Sequence, residues 1–243
     1  MLRIILSFFG GVFTFLTMSV VAFALTIGAV FWIYGRDLPS HESLAQYKPP
    51  TISRIYSGEG RIVDEFARER RLFTGAKDVP ILIKQAFISA EDKNFYSHPG
   101  YDLRGILSAA VDAARSGGRR VRGASTITQQ VMKNFLLDGS RRAERKIKEI
   151  ILATRIENTL DKERILELYL NEIFLGQNSY GVTAAAQTYF NKTLDELAPH
   201  EAAFLASLPK APSDFHPVRR KKRLLDRRNY VLKEMWQNGF LEE

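Results

Sequence analysis

The chain has 243 residues, of which 45% are hydrophobic, and its formal net charge is +8. This length accommodates one large domain, alone or with an anchor, and the absence of cysteine excludes disulfides and cysteine-ligated metals. The four histidines lie far apart along the sequence, which disfavours a zinc site. The excess of basic residues predicts a polyanionic partner, such as phosphates, anionic lipid or nucleic acid.

The N-terminal segment is apolar, and residues 4–35 form a run of 32 residues without a charge. A membrane-spanning helix needs roughly 20 apolar residues. We therefore predict a transmembrane anchor over residues 1–36. A cleaved signal peptide is the alternative, because residues 22–24 match a small-residue cleavage site, but the apolar run is too long and continues past that site.

A polar connector follows over residues 37–76 and contains a predicted β-hairpin. The segments 53–57 and 61–66 alternate apolar and polar residues around Gly58 and Gly60. This pattern is typical of two strands that are joined by a short turn.

The spacing of apolar residues predicts a succession of helices over residues 77–218, and we assign them to one domain. A loop is predicted at Gly176–Gly181. Residues 219–243 predict a basic amphipathic helix that leads to a missing or absent following domain, or that lies on a membrane. Its apolar side is predicted to consist of Leu225, Leu232 and Trp236.

The stretch from Phe87 to Gly100 ends an apolar run with two adjacent carboxylates, Glu91 and Asp92. The residues before them recur with helical spacing on one face: Ile83, Ala86, Phe87 and Ala90. A carboxylate placed where a buried helical face meets a cavity can have its pKa shifted, which a general base or acid requires. The alternative is a solvated acidic pair before a turn.

Residues 115–123 contain four arginines and three glycines. Two interpretations are compatible: a mobile surface loop, and a positively charged lip that meets phosphates or lipid headgroups.

A polar helix is predicted to start at Ser125 or Thr126, because either hydroxyl can cap it with Gln129 nearby. Ser125, Gln129 and Lys133 then share one face, where they present a hydroxyl, an amide and an ammonium. The alternative is an ordinary polar face on a surface helix.

Residues 140–158 predict a helix on which Arg141, Arg145 and Glu149 share one face, with Lys146 and Lys148 beside them. Its buried side is predicted to consist of Ile147, Ile150 and Ile151. Several cations around one glutamate suit a diphosphate, because arginine forms forked bonds and lysine supplies a point charge. The alternative is a solvated helix with ion pairs along its length.

Five stretches, which follow one another along the chain, resemble the motifs of a known family. They are Glu91–Gly100, Gly123–Gln130 with Lys133 and Asn134, Arg145–Glu149, Lys162–Asn171 and Ala202–Pro212. Together they resemble the peptidoglycan glycosyltransferase domain, family 51, of class A penicillin-binding proteins. The resemblance covers residues 77–217, and the anchor and the hairpin also lie where that family has them.

The resemblance implies a mainly α, lysozyme-like fold that is tethered to a membrane, and lipid II as substrate. Glu91 would be the general base and Glu149 the second essential carboxylate, near the donor diphosphate. The residues that would hold that diphosphate are Lys133, Arg141, Arg145 and Lys146. The residues that would line the donor subsites are Ser125, Gln129 and Gln130.

The resemblance requires no cofactor. A divalent metal, Mg²⁺ or Mn²⁺, could assist the diphosphate, with Glu91, Asp92 and Glu149 as the candidate ligands. The implied partners are lipid II, the growing glycan strand, the membrane and other proteins of cell-wall synthesis, and no nucleic acid. The implied location is the bacterial plasma membrane, with a single span and the catalytic domain on the periplasmic or outer face.

Two other functions remain open at this point. A glycan-cleaving hydrolase on a similar helical fold would use Glu91 as its acid, but it has no use for the cations between Lys133 and Lys146. A membrane-anchored scaffold would bind anionic lipid or nucleic acid without chemistry, but it leaves the uncharged polar run from Ser125 to Gln130 unexplained.

Overall fold

The computed structural model describes residues 2–36, 38–40, 42–47, 53–59, 62–66, 70–117, 125–137, 142–210, 215 and 219–242. Within these ranges the chain is mainly helical, and the predicted fold class is confirmed. The helices are α1 (Leu2–Gly35), a short 3₁₀ helix (Glu42–Gln46), α2 (Ile81–Glu91), α3 (Leu103–Arg115), α4 (Ile127–Leu136), α5 (Arg142–Glu157), α6 (Lys162–Glu172), α7 (Val182–Phe190), α8 (Pro199–Ser207) and α9 (Lys221–Gln237). The strands are β1 (Ser53–Tyr56), β2 (Ile62–Phe66), β3 (Arg70–Arg71) and β4 (Ser179–Tyr180).

The first helix, α1, has the length and the composition of a membrane span over Ser7–Gly35, and its side chains there are not buried by the rest of the chain. Its exposed face is rich in phenylalanine, valine and leucine, which lipid solvates better than water does. The C-terminal end of α1 packs against α5, where Arg155 Nη2 donates a hydrogen bond of 3.0 Å to the carbonyl of Gly35.

The predicted hairpin is present, because β1 and β2 pair antiparallel with Ser53 opposite Phe66. Gly60 and Arg61, which were assigned to its turn and second strand, lie outside the described residues. A second pair is parallel and joins β3 to β4, with Arg70 beside Ser179. The prediction of a loop through residues 179–180 was therefore wrong, since a two-residue strand has no period of its own to detect.

The core of the domain lies between α2, α4, α6, α8 and α9. Three of the four residues predicted to form the apolar face of α2 are fully inaccessible to solvent, namely Ile83, Ala86 and Phe87, whereas Ala90 is only partly buried. Helix α6 crosses the centre, and all seven residues from Ile165 to Asn171 are buried. Helices α2 and α8 therefore belong to one packed unit.

The last helix, α9, packs against α8 and α2 rather than standing apart from them. Its buried residues are Leu224, Val231 and Met235. The predicted apolar side is wrong by one position, and Trp236 remains 45% exposed. Two apolar stripes lie one residue apart on this helix, about 100° around its axis, so spacing alone could not select the buried one.

Helix α5 also turns a different face inward from the predicted one. Leu152, Ala153 and Ile156 are fully buried and Ile151 is nearly so, whereas Ile147 and Ile150 are only half-buried. Glu149 is 5% exposed and lies at the edge of this buried face. The helix therefore carries a carboxylate partly into the protein, which a hydrophobic pattern would not indicate.

Candidate active site

Glu91 is the last residue of α2, and its side chain is 13% exposed. Its Oε2 atom accepts a hydrogen bond of 2.9 Å from the Nε2 atom of Gln130 on α4. Its Oε1 atom lies 3.8 Å from Nη2 of Arg227 on α9, which is too long for a hydrogen bond. The two carboxylate oxygens therefore differ in their partners, since Oε2 accepts a hydrogen bond from Gln130 and Oε1 only lies near the charge of Arg227.

The pKa of Glu91 is raised above its ordinary value, mainly because burial disfavours the charged carboxylate and also because Asp92 is near. The hydrogen bond from Gln130 and the charges of Arg227 and Lys210 act in the opposite direction. A solvated acidic pair is therefore excluded, and Glu91 has the tuned environment that its position after an apolar face predicted.

Asp92 is buried and joins the end of α2 to the start of α4. Its carboxylate accepts hydrogen bonds from His98 Nε2 at 2.9 Å and from the backbone amide of Ile127 at 2.9 Å. The His98 Nδ1 atom accepts from the amide of Gly100 at 3.1 Å, so the ring carries its proton on Nε2. Asp92 thus positions the helix that carries Gln130.

Thr126, rather than Ser125, caps α4. Its Oγ1 atom accepts from the amide of Gln129 at 3.2 Å and donates to the carbonyl of Gly100 at 2.7 Å. Ser125 remains free to point its hydroxyl towards α5. Of the two hydroxyls that were predicted as possible caps, Thr126 is therefore the one that caps α4.

The side chain of Lys146 on α5 contacts polar side chains at the start of α4 and on α5 itself. Its Nζ atom donates to Ser125 Oγ and Gln129 Oε1, both at 2.7 Å, and to Glu149 Oε2 at 3.1 Å. We call these four residues the Lys146 cluster. Arg145 joins it through an ion pair of 3.3 Å between its Nε atom and Glu149 Oε1.

The remaining predicted cations are placed differently. Lys133 is exposed and forms no hydrogen bond or ion pair with any residue that the structure describes. Arg141 lies outside the described residues. Lys148 pairs with Glu144 at 2.7 Å, away from Glu149. Arg145 and Lys146 against Glu149 make two positive charges and one negative, which leaves a formal charge of +1 in this group.

Two consecutive residues of α4 connect the two halves of the site. Gln129 bonds to Lys146, and Gln130 bonds to Glu91. The general-base candidate and the cation cluster therefore lie on either side of one helical turn rather than in separate regions of the protein.

Sequence reasoning missed Arg227 and Lys210 as neighbours of Glu91. Arg227 is 14% exposed at its side chain, and it donates to the carbonyl of Ala90 at 3.2 Å. Lys210 follows α8 and acts on Glu91 through its charge. Tyr169 was also missed: it is 1% exposed, and burial together with Glu91 and Asp92 raises its pKa well above the ordinary value. Tyr169 and Lys210 lie within two of the five resembling stretches, but no local pattern places any of these three residues beside Glu91.

The three carboxylates that were candidate metal ligands do not form one site. Asp92 is engaged by His98 and α4, Glu149 by Arg145 and Lys146, and Glu91 by Gln130. In the part of the chain that the structure describes, no group of three histidine, aspartate or glutamate side chains is arranged to hold a metal ion.

The position of Arg227 leads to a test of the site. Replacing Arg227 by glutamine removes a charge that lowers the pKa of Glu91, so that pKa should rise further. A base works only when it is ionised, and we therefore expect the acidic limb of the pH profile of kcat/KM to move to higher pH. The matched control is Arg228→Gln on the same helix, because Arg228 bonds to Asn229 instead. Equal profiles for the two variants would contradict the assignment.

Comparisons with known proteins place the chain in a family. Residues 59–236 match the family model described as transglycosylase, so the chain belongs to that family. The chain is 47% identical over 234 residues to penicillin-binding protein 1A of Rickettsia prowazekii and 43% identical over 223 residues to that of Aquifex aeolicus. These alignments cover 93% and 91% of this chain. The resemblance that the five stretches indicated is confirmed.

The relatives are much longer than this chain, which spans 30% of the Rickettsia protein and 31% of the Aquifex protein. Among solved structures, the chain is similar to penicillin-binding protein 1A from Haemophilus influenzae, with 30% identity and a TM-score of 0.46. That match covers 81% of this chain and 20% of the Haemophilus chain.

Proposed function

We propose that this domain is a peptidoglycan glycosyltransferase, which polymerises lipid II into β-1,4 glycan strands and releases undecaprenyl diphosphate. The transglycosylase family supports the reaction class. The observation that carries the proposal is the bridge across α4, where Gln130 bonds to Glu91 and Gln129 bonds to Lys146. A sugar hydroxyl near Glu91 and a diphosphate near Lys146 would then lie on either side of one helical turn.

Glu91 acts as the general base in this proposal. The Oε1 atom takes the proton of the acceptor 4-hydroxyl, because Oε2 already accepts from Gln130. The raised pKa makes Glu91 a stronger base than a solvated glutamate, while Gln130 and Arg227 limit the rise and favour the ionised form. The new bond joins the acceptor oxygen to C1 of the donor sugar, with inversion at C1.

The bond that breaks joins C1 to the diphosphate, and both electrons leave with undecaprenyl diphosphate. Negative charge then grows on the leaving group, where fixed cations stabilise it. Lys146 and Arg145 supply that charge from α5, and the exposed Lys133 supplies it from α4. Arg141 is assigned to the same group by the resemblance. A diphosphate neutralised in this way needs no protonating acid.

Glu149 has a different role from Glu91. It is 5% exposed, and it is held by Arg145 and Lys146. A carboxylate held between two cations fixes their positions, which suits a group that orients the diphosphate site rather than one that transfers a proton.

The membrane anchor places this chemistry at a bilayer. We propose that α1 spans the bacterial plasma membrane once and that the catalytic domain lies on its outer face, where a lipid-linked donor is within reach. The length and the apolar surface of α1 support the span. The expected partners are lipid II, the growing glycan strand and other proteins of cell-wall synthesis.

One observation keeps a hydrolase as the second candidate, since a raised pKa at Glu91 also suits a general acid. Incubation of the purified chain with labelled lipid II, with and without the phosphoglycolipid inhibitor moenomycin, followed by glycan sizing separates the two. Strands that lengthen, and that fail to do so with the inhibitor, support the transferase. Shortening of preformed glycan would favour the hydrolase, and salt-sensitive binding without any product would favour a scaffold.

A further inference from the structure

An open cavity of about 480 Å³ lies where the last turn of α1 meets α5. Helix α1 contributes Phe31, Trp32 and Arg36 to its wall, and α5 contributes Ile151 and Arg155. Its volume falls within the range of about 300–1,000 Å³ that is usual for small-molecule sites. None of these residues belongs to the site around Glu91 and Lys146.

The walls of this cavity combine two exposed guanidinium groups with apolar surface. The guanidinium of Arg36 lies 3.6 Å from the centre of the Trp32 ring, and Arg155 is held by its hydrogen bond to Gly35. Neither arginine has a carboxylate partner within the part of the chain that the structure describes. Phe31 is 45% exposed and Trp32 is 61% exposed, so apolar surface remains available beside the charges.

The cavity lies at the C-terminal end of the apolar part of α1. The apolar part of α1 ends at Gly35, and Arg36 is the first charged residue after it. Tryptophan and arginine at the end of a span lie at the level of the lipid headgroups. Phosphate groups and the upper parts of acyl chains are therefore the chemical groups that meet this cavity in a bilayer.

We propose that this cavity binds the headgroup of an anionic phospholipid, with the phosphate between Arg36 and Arg155 and the upper acyl chain against Phe31 and Trp32. Two guanidinium groups that pair with no carboxylate among the described residues match the phosphate and the net negative charge, and the aromatic side chains match the hydrocarbon. A zwitterionic lipid satisfies the phosphate contact but carries a cation that the two arginines repel. The proposal does not depend on the reaction assigned to Glu91.

The test uses the fluorescence of Trp32 in the full chain, reconstituted into phosphatidylcholine bilayers. The sequence has two tryptophans, and Trp236→Phe leaves Trp32 as the only emitter. Lipids brominated near the top of the acyl chain quench tryptophan on contact, and they are added as phosphatidylglycerol or as phosphatidylcholine at equal mole fraction. Each basic residue favours an anionic lipid about fivefold, so we expect clearly stronger quenching by the brominated phosphatidylglycerol.

The decisive variant is Arg36→Gln/Arg155→Gln in the chain that also carries Trp236→Phe. In this variant, both brominated lipids should quench the fluorescence of Trp32 equally. The matched control, Lys221→Gln/Lys222→Gln, removes two exposed cations from α9 and should keep the preference. Equal quenching in the parent chain would overturn the proposal, and so would a preference that survives loss of both arginines. Loss of the preference in inorganic phosphate, compared with chloride of the same ionic strength, would also overturn it, because the site would then take free phosphate.

Discussion

Replacing Glu91 by glutamine is expected to slow glycan polymerisation by about 10²–10⁴-fold, which is the usual contribution of a general base. Glutamine keeps the shape of the side chain and an oxygen for Gln130, but it cannot accept the acceptor proton. Binding of lipid II should persist, because the Lys146 cluster lies on the other side of α4. The measurement compares strand synthesis with binding of labelled lipid II by the same purified chain.

The thermal stability of the Glu91→Gln variant distinguishes lost chemistry from lost structure. The folded pKa of Glu91 is raised, so its ionised form destabilises the fold above that pKa, and this effect vanishes below the unfolded pKa. At neutral pH the variant should therefore melt at the same temperature as the parent or higher. Glu234→Gln on α9 is the control and should retain activity. Normal chain extension by the Glu91 variant would defeat the assignment.

Replacing Lys146 by alanine is expected to weaken binding of the lipid II donor by about 10–100-fold, the equivalent of one charge-assisted hydrogen bond. The ammonium group donates hydrogen bonds to the hydroxyl of Ser125 and the amide oxygen of Gln129, and the proposed function assigns all three side chains to the diphosphate site. The measurement is the Kd for labelled donor at fixed ionic strength. Lys148→Ala is the control, because that side chain pairs with Glu144 instead.

Loss of Lys146 also leaves the buried Glu149 with Arg145 as its remaining cation among the described residues. The double variant Lys146→Ala/Glu149→Gln separates the two effects, because it removes the uncompensated charge together with the ammonium. Donor binding should stay weak in the double variant if Lys146 contacts the diphosphate. Recovery to the parent Kd would show that the single variant had only displaced Glu149, and unchanged affinity in the single variant would remove Lys146 from the site.

Local patterns predicted the elements that carry the site. Each of these patterns lies within a few residues, so helical spacing shows which side chains point the same way. The patterns are the apolar face before Glu91, the hydroxyls at Ser125 and Thr126, and the cations on α5. The hairpin was predicted from alternating residues around two glycines, and the span from a long run without charge. The shared direction of Ser125 and Gln129 was also correct, and the structure adds that Lys146 is what they meet.

Where a helix has two faces that could each be buried, the sequence pattern did not indicate which of them is buried. On α9 the stripe with Leu224 is buried rather than the stripe with Leu225, because the neighbours α2 and α8 determine which side is covered. On α5 the buried side extends to Glu149, since two cations compensate its charge. The first outcome depends on helices that lie far away along the chain, whereas the second depends on ion pairs within α5 itself.

The sequence by itself determined that this protein has an apolar span, a mainly helical domain and a carboxylate at the end of a buried helix. The tertiary structure alone decided what surrounds that carboxylate. Burial among other helices raises the pKa of Glu91, and Gln130 and Arg227 reach it from α4 and α9 and limit that rise. The physical reason is that hydrogen bonds and charges act through space over a few ångströms, whereas sequence patterns report only on neighbours within one element.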